Sequence, residues 1–115
     1  MKTHRLVMPE DLNQYGHLFG GKLLSWVDEA SWIAASLDYP EQQFVTIGMD
    51  KVEFHHGVRE GVILEIDCEK IREGKTSVSY QVNVNSAKGN GFKDIFSTCV
   101  SFVNVDENGK KKPIH

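Results

Sequence analysis

The fold class that the sequence predicts is α+β, one long helix lying on an antiparallel sheet. Three observations predict it: a helical apolar period appears once, over residues 20–38; period-two alternation fills most of the chain after it; and turn residues separate the alternating runs. A single long helix among antiparallel strands has to pack on one sheet face. With 115 residues, the chain has room for one core, so residues 1–115 are read as a single domain.

The elements follow in order. Residues 3–8 form a short edge strand. Pro9, Asp11, Asn13 and Gly16 mark a loop that leads into the helix near Gly20. Over 20–38 the residues Leu23, Val27, Ala30, Ala34 and Leu37 recur at helical spacing, and Trp26 and Ile33 widen the stripe. Pro40 ends it. The opposite face carries Ser25, Asp28, Glu29, Trp32 and Ser36. A tryptophan there points either to a second covered face, against a partner subunit or ligand, or to an indole lying flat on a strand.

Beyond Pro40, Val45, Ile47 and Met49 alternate, and Val52 and Phe54 alternate in the opposite phase, which predicts a bulge near Asp50. Val62, Leu64, Ile66 and Cys68 alternate with acidic residues. A tight turn is expected at Arg72-Glu73-Gly74-Lys75, followed by Thr76, Val78, Tyr80, Val82 and Val84 on one face. A loop over Ala87 to Gly91 and a long strand from Phe92 to Val105 complete the sheet. Asp106-Glu107-Asn108-Gly109 is a turn and Lys110-Lys111-Lys112-Pro113 a basic tail. The four strands after the helix are expected to be joined by hairpins. The exposed sheet edges and Trp32 together point to a dimer.

Composition narrows the function classes. The formal net charge is −3, against the basic footprint that nucleic-acid binding normally leaves. No apolar run approaches the roughly 20 residues of a membrane span, and Met1 to Met8 lacks the apolar centre of a signal peptide. A cytoplasmic protein without membrane or nucleic-acid partners is expected. Cys68 and Cys99 lie in apolar runs, which suits buried reduced thiols. His55 and His56 are adjacent in a predicted strand and point to opposite faces, so no metal site is expected.

Two features carry candidate chemistry. The segment Asn13-Gln14-Tyr15-Gly16-His17-Leu18-Phe19-Gly20-Gly21 enters the helix with glycines whose free amides point outward. Such amides can polarise a carbonyl, or the glycines can serve close packing alone. Asp28 lies about two turns inside a mostly apolar helix, and its helical neighbours Leu24, Ser31 and Ala35 do not neutralise it. It is either a general base or nucleophile, or a structural carboxylate bonded to a nearby loop.

The pattern Asn13-xx-Gly16-x-Leu18-Phe19-Gly20-Gly21-x-Leu23-Leu24-Ser25-Trp26-x-Asp28 resembles the signature of hotdog-fold acyl-CoA thioesterases of the YciA and cytosolic acyl-CoA hydrolase type. The likeness continues through Val45-Thr46, Phe54, Gly74-Lys75-Thr76-Ser77 and Phe102 to Lys110, nearly the whole chain. Two departures stand out: Gly57 where family members usually carry proline near this stretch, and His17 where a small or acidic residue is common. Either could reshape the pocket mouth.

The resemblance implies a curved antiparallel sheet wrapped around the helix, and hydrolysis of acyl-CoA to free acid and CoA. It implies Asp28 as base or nucleophile and Asn13 of the partner subunit as the group that orients water or carbonyl. Gly20 and Gly21 would polarise the carbonyl, Thr46 would support the pair, and Gly74, Lys75, Thr76 and Ser77 would hold CoA. It implies no metal or redox cofactor, CoA entering only with the substrate. Two protomers would join sheets edge to edge, at least as a homodimer, with a hexamer of three dimers left open. Rival readings are a silent acyl-CoA-binding module, against which both Asn13 and Asp28 speak, and a hydratase-like enzyme, whose usual histidine beside the aspartate is not found.

Overall fold

The structure is a computed structural model describing residues 1–88 and 93–115. Five strands form one antiparallel sheet: β1 (Lys2–Leu6), β2 (Phe44–Phe54), β3 (Ile63–Glu73), β4 (Ser77–Lys88) and β5 (Phe96–Asn104), in the order β1-β3-β4-β5-β2. The helix α1 spans Gly20–Asp38 and packs against β2, β3, β4 and β5. Its limits are those the apolar period predicts.

The core lies between helix and sheet. Leu23, Val27, Ala30 and Ala34 meet Val78, Tyr80, Val82 and Val84 of β4 and Val100 and Phe102 of β5, all buried. The buried stripe is rotated from the expected one. Ser31 and Ala35 are fully buried, whereas Ile33 and Leu37 are exposed. Ser31 can be buried because its hydroxyl donates to the Val27 carbonyl at 2.9 Å, which satisfies the donor within the helix.

Period-two patterning gives the faces of β3 and β4 correctly but not the partner of β2. β2 pairs only with β5, from Phe44 opposite Asn104 to Phe54 opposite Phe96, so β2 and β3 are not a hairpin. Residues 55–62 instead cross from one side of the sheet to the other. They are tied down where Leu18 N–H donates to the Val58 carbonyl, Val7 N–H to Val62, and His55 N–H to Ile95. Alternation reports which face a residue occupies, and the partner strand is a separate, long-range choice. The bulge expected near Asp50 is present, at Asp50/Glu53 with Lys51 at φ 53°, and a second lies at Thr46/Gly48.

Smaller differences concern the ends. Arg72 and Glu73 continue β3, and the turn is confined to Gly74–Thr76. Ala87 and Lys88 belong to β4, while residues 89–91 of the expected loop, and Phe92, lie outside the described residues; β5 begins at Phe96. Cys68 is buried but Cys99 is half-buried. The basic tail folds back: Lys112 N–H donates to the Asn104 carbonyl and Ile114 N–H to the Lys75 carbonyl, with Ile114 buried. Asn104, fully buried, accepts from Gln43 N–H and donates to Gln42 and the Pro113 carbonyl, which locks this return.

β2 is an edge strand whose apolar residues remain largely uncovered. Only Phe44 is buried; Val45, Ile47, Val52 and Phe54 are exposed, as are Trp32 and Ile33 on the helix. Trp32 also meets the strand, since its indole N–H donates to the Phe44 carbonyl at 3.0 Å. Glu29, beside it on the helix, pairs with Arg5.

Candidate active site

Asp28 is half-buried and is not without a partner: Thr46 Oγ1 donates to its Oδ1 at 2.7 Å. The strand delivers this threonine by simple geometry. Trp32, one turn beyond Asp28, holds the start of β2 through the Phe44 carbonyl, and Thr46 lies on the same pleat face as Phe44. Oδ2 of Asp28 has no partner among the described residues, so one carboxylate oxygen is fixed and the other is available to accept a proton or attack a carbonyl carbon.

Asn13 sits at the tip of a small closed loop. Leu12 bridges Leu18, Asn13 N–H donates to the His17 carbonyl at 2.7 Å, and Gly16 N–H returns to the Asn13 carbonyl at 3.1 Å. Gly16 has φ 82°, the left-handed conformation this reversal needs and glycine adopts freely. The amide N–H groups of Tyr15 and His17 both point at Asn13 Oδ1, at 2.9 and 3.1 Å. Two donors aimed at one atom identify it as the oxygen. The carboxamide NH2 is left over, so Asn13 can offer donors but not its acceptor.

Gly20 and Gly21 open the helix after Phe19, which supplies no side-chain cap. Lys22 and Leu23 N–H both donate to the Phe19 carbonyl, so the amides of the two glycines precede the helical ladder. Exposed aromatic rings flank them. A methyl on Gly20 would stand 3.4 Å from the Phe54 ring, and one on Gly21 3.2 Å from Phe19.

Gly74, Lys75, Thr76 and Ser77 form the turn between β3 and β4, closed by Gly74 N–H to the Ser77 carbonyl at 2.7 Å. The side chain of Lys75 is exposed and has no partner among the described residues. The turn lies near the C-terminal end of the helix, where Glu73 bonds Tyr39. Gly20 and Gly21 open its N-terminal end, with Gly20 roughly 12 Å along the axis from Asp28, and Asn13 lies in the loop that precedes them. Among the described residues of one protomer, Asp28 and Thr46 meet, Asn13 bonds within its own loop, and the turn at 74–77 bonds to neither Asp28 nor Asn13.

The perturbed titratable groups belong to the turn's end of the helix. Burial and then the bond to Asp38 at 2.6 Å push Tyr80 up; burial and then Glu73 raise Tyr39. Tyr39, in turn, raises Lys70 and lowers Glu73 through their hydrogen bonds. Burial pushes the Cys68 thiol up to about 11.

Sequence reading did not foresee that Asn13 is locked through its oxygen, or that His17 touches Gly57. An Asn followed three positions later by Gly is a signal for the first, since Asn side chains cap such turns.

Comparison with known proteins gives this geometry a family. Residues 15–92 match the family model described as the thioesterase superfamily. A Bacillus subtilis protein named as an uncharacterized acyl-CoA thioester hydrolase is 32% identical over 99% of this chain and 66% of its own length. A similarly named protein of Zymomonas mobilis is 30% identical over 67% of this chain and 51% of its own length. The chain thus spans between half and two thirds of these relatives. Salmonella typhimurium acyl-CoA thioester hydrolase YciA is 29% identical over 95% of this chain and 85% of its length. Among solved structures, a hexameric hotdog-fold thioesterase of Campylobacter jejuni superposes with a TM-score of 0.85 at 37% identity, covering 98% of this chain and 88% of that one. A Staphylococcus aureus acyl-CoA hydrolase variant in complex with coenzyme A gives 0.88 at 27% identity, covering 98% and 68%. A five-stranded antiparallel sheet on one helix, matched at this level over its whole length, is a hotdog fold, and the chain belongs to the thioesterase superfamily.

Proposed function

We propose that the protein hydrolyses acyl-CoA thioesters to free acid and CoA, with Asp28 at the reacting centre. The observation that carries this reading is the half-buried Asp28 carboxylate, with Oδ1 held by Thr46 and Oδ2 without a partner among the described residues. The names of the relatives support it. So does a spacing: the Staphylococcus aureus hydrolase has been solved with an asparagine and with an aspartate replaced, and these lie as far apart in that chain as Asn13 and Asp28 do here.

Two chemistries share this arrangement. In one, Oδ2 takes a proton from water as the water oxygen bonds to the thioester carbon. In the other, Oδ2 itself attacks, and water later cleaves the mixed anhydride. In both, the carbonyl oxygen gains negative charge, which the Gly20 and Gly21 amides are suited to meet. The Asn13 NH2, with only donors to offer, holds the oxygen of the water or of the carbonyl. As the tetrahedral adduct collapses, the C–S bond breaks and the CoA sulfur leaves. It takes back the proton held by Asp28 in the first route and a proton from water in the second, where this step forms the anhydride. Neither route calls for a metal or redox cofactor.

Each site is formed between two protomers, Asn13 coming from one and Asp28 from the other. Support comes from the rise of roughly 12 Å from Gly20, where the Asn13 loop ends, to Asp28, the uncovered apolar face of β2 and Trp32, and the hexameric assembly of the Campylobacter thioesterase. We assign the turn Gly74, Lys75, Thr76 and Ser77 to the CoA moiety, as the free Lys75 ammonium suits a phosphate. No described helix is long and apolar enough to cross a membrane, and a cytosolic setting matches the name of a mouse relative, a cytosolic acyl coenzyme A thioester hydrolase 27% identical over 95% of this chain and 29% of its own length.

A thioester panel from acetyl- to palmitoyl-CoA, read by free-thiol release, tests the reading. Turnover of at least one chain length well above the uncatalysed rate is expected. Binding without hydrolysis across the panel would replace it with a silent acyl-CoA-binding module.

A further inference from the structure

His17, in the Asn13 loop, and Gly57, in the crossover segment, touch one another. A methyl placed on Gly57 would lie 3.1 Å from Cδ2, 3.3 Å from Cγ and 3.4 Å from Nε2 of His17. The imidazole therefore rests on the bare backbone of Gly57. That glycine is not there for its conformational range, because its φ lies outside the left-handed region and any residue can adopt it. What the position needs is the space.

We propose that His17 and Gly57 form a matched large–small contact that sets the position of the Asn13 loop, making His17 a positioning residue for Asn13. The loop is internally rigid. Its hydrogen bonds run between Asn13 and the backbone of Tyr15, Gly16 and His17, so it moves as a unit. Its supports lie on the crossover segment. Leu18 N–H donates to the Val58 carbonyl at 2.6 Å, Gly16 lies beside the Arg59 guanidinium, and the His17 ring meets Gly57. The same segment is fastened at its start by His55 N–H to the Ile95 carbonyl, directly after Phe54, whose ring lies against Gly20. One stretch of chain thus sets both the height of Asn13 and the setting of the helix amides. A side chain at 57 would drive the His17 ring outward by a few tenths of an ångström, and the Asn13 carboxamide, tied to His17 at both its oxygen and its backbone N–H, would follow.

The effect on catalysis rests on the function assigned to Asn13 above; the positioning itself does not. The test compares wild type, Gly57→Ala, His17→Ala and the double variant by two readouts. The first is structural: the Asn13 side-chain NH2 resonances and the hydrogen exchange of the Tyr15 and His17 amides. The Gly57→Ala variant should shift the NH2 pair and speed both exchanges while the β4 and β5 amides stay unchanged, and the double variant should return toward the His17→Ala pattern. The second is kinetic: kcat for the best thioester should fall about tenfold in Gly57→Ala with little change in KM, as for a small misplacement of a catalytic group, and recover in the double variant. Unmoved Asn13 signals in folded Gly57→Ala, or a double variant no closer to His17→Ala than Gly57→Ala is, would overturn the contact as a positioning device. Wild type without thioesterase activity would remove the function instead, leaving the first readout to decide the contact.

Discussion

Thr46 Oγ1 lies 2.7 Å from Asp28 Oδ1, so the edge strand β2 fixes the rotamer of a carboxylate on the middle of the helix. The threonine is on an exposed strand and the aspartate on an apolar helix, and neither would be held without the other.

Replacing Thr46 by valine keeps its shape and removes its donor. Loss of a hydrogen bond to a charged group costs about 1.5 kcal/mol or more, which predicts a fall of roughly tenfold in kcat. The Thr46→Ser variant retains the donor and should stay within a few-fold of wild type. A loss in Thr46→Ser with none in Thr46→Val would show that the methyl group, not the hydroxyl, matters.

For Asp28→Asn the expected loss is larger, at least about two orders of magnitude in turnover, because the group that accepts the proton or attacks the carbonyl is gone. Circular dichroism and the melting temperature should change little, since asparagine still accepts from Thr46 through its carbonyl oxygen. A folded variant with near wild-type turnover would rule Asp28 out of the chemistry.

Lys75→Glu separates the two halves of the substrate. If the Lys75 ammonium meets a CoA phosphate, the change should raise KM for CoA thioesters much more than for pantetheine thioesters, which lack the nucleotide. An equal effect on both, or none, would return Lys75 to the status of a solvated turn residue.

The shared site has a complementation test. Asn13→Ala and Asp28→Asn are each expected to be inactive alone. Mixed under conditions that exchange subunits, half the dimers are heterodimers with one intact and one doubly damaged site, so activity should recover to about a quarter of wild type per subunit. Exchange proven by a tag, with activity still at background, would place the pair within one chain.

The parts of this fold that could be read from sequence are the local ones. The helix from Gly20 to Asp38 carries an unbroken apolar period and is stopped by Pro40, so its limits are legible to the residue. Placing Leu37 in its stripe and widening the stripe to Ile33 misled, because a small buried serine at 31 looks polar in sequence while its hydroxyl is satisfied within the helix. Alternation showed that β2 is a strand and where it kinks, but nothing local tells Phe44 to seek Asn104. At the site, Asp28 stood out as a carboxylate in an apolar helix. The setting of Asn13 did not, since it depends on which backbone amides converge on its oxygen. His17 and Gly57 were each noticeable, yet their contact exists only once the crossover has been laid down.

The pairing of β2 with β5 also has a consequence for synthesis. β2 follows directly on the helix, but its single partner within the sheet ends at Asn104, so during translation β2 emerges long before anything in its own chain can hydrogen-bond to it. In that interval Val45, Ile47, Val52 and Phe54 line an open strand, the kind of segment that recruits a neighbouring nascent chain. Asp28 meets its threonine in a settled frame only when β5 has docked. Docking of β5 thus completes the setting of Asp28, and chaperone demand should fall on the window between the two strands.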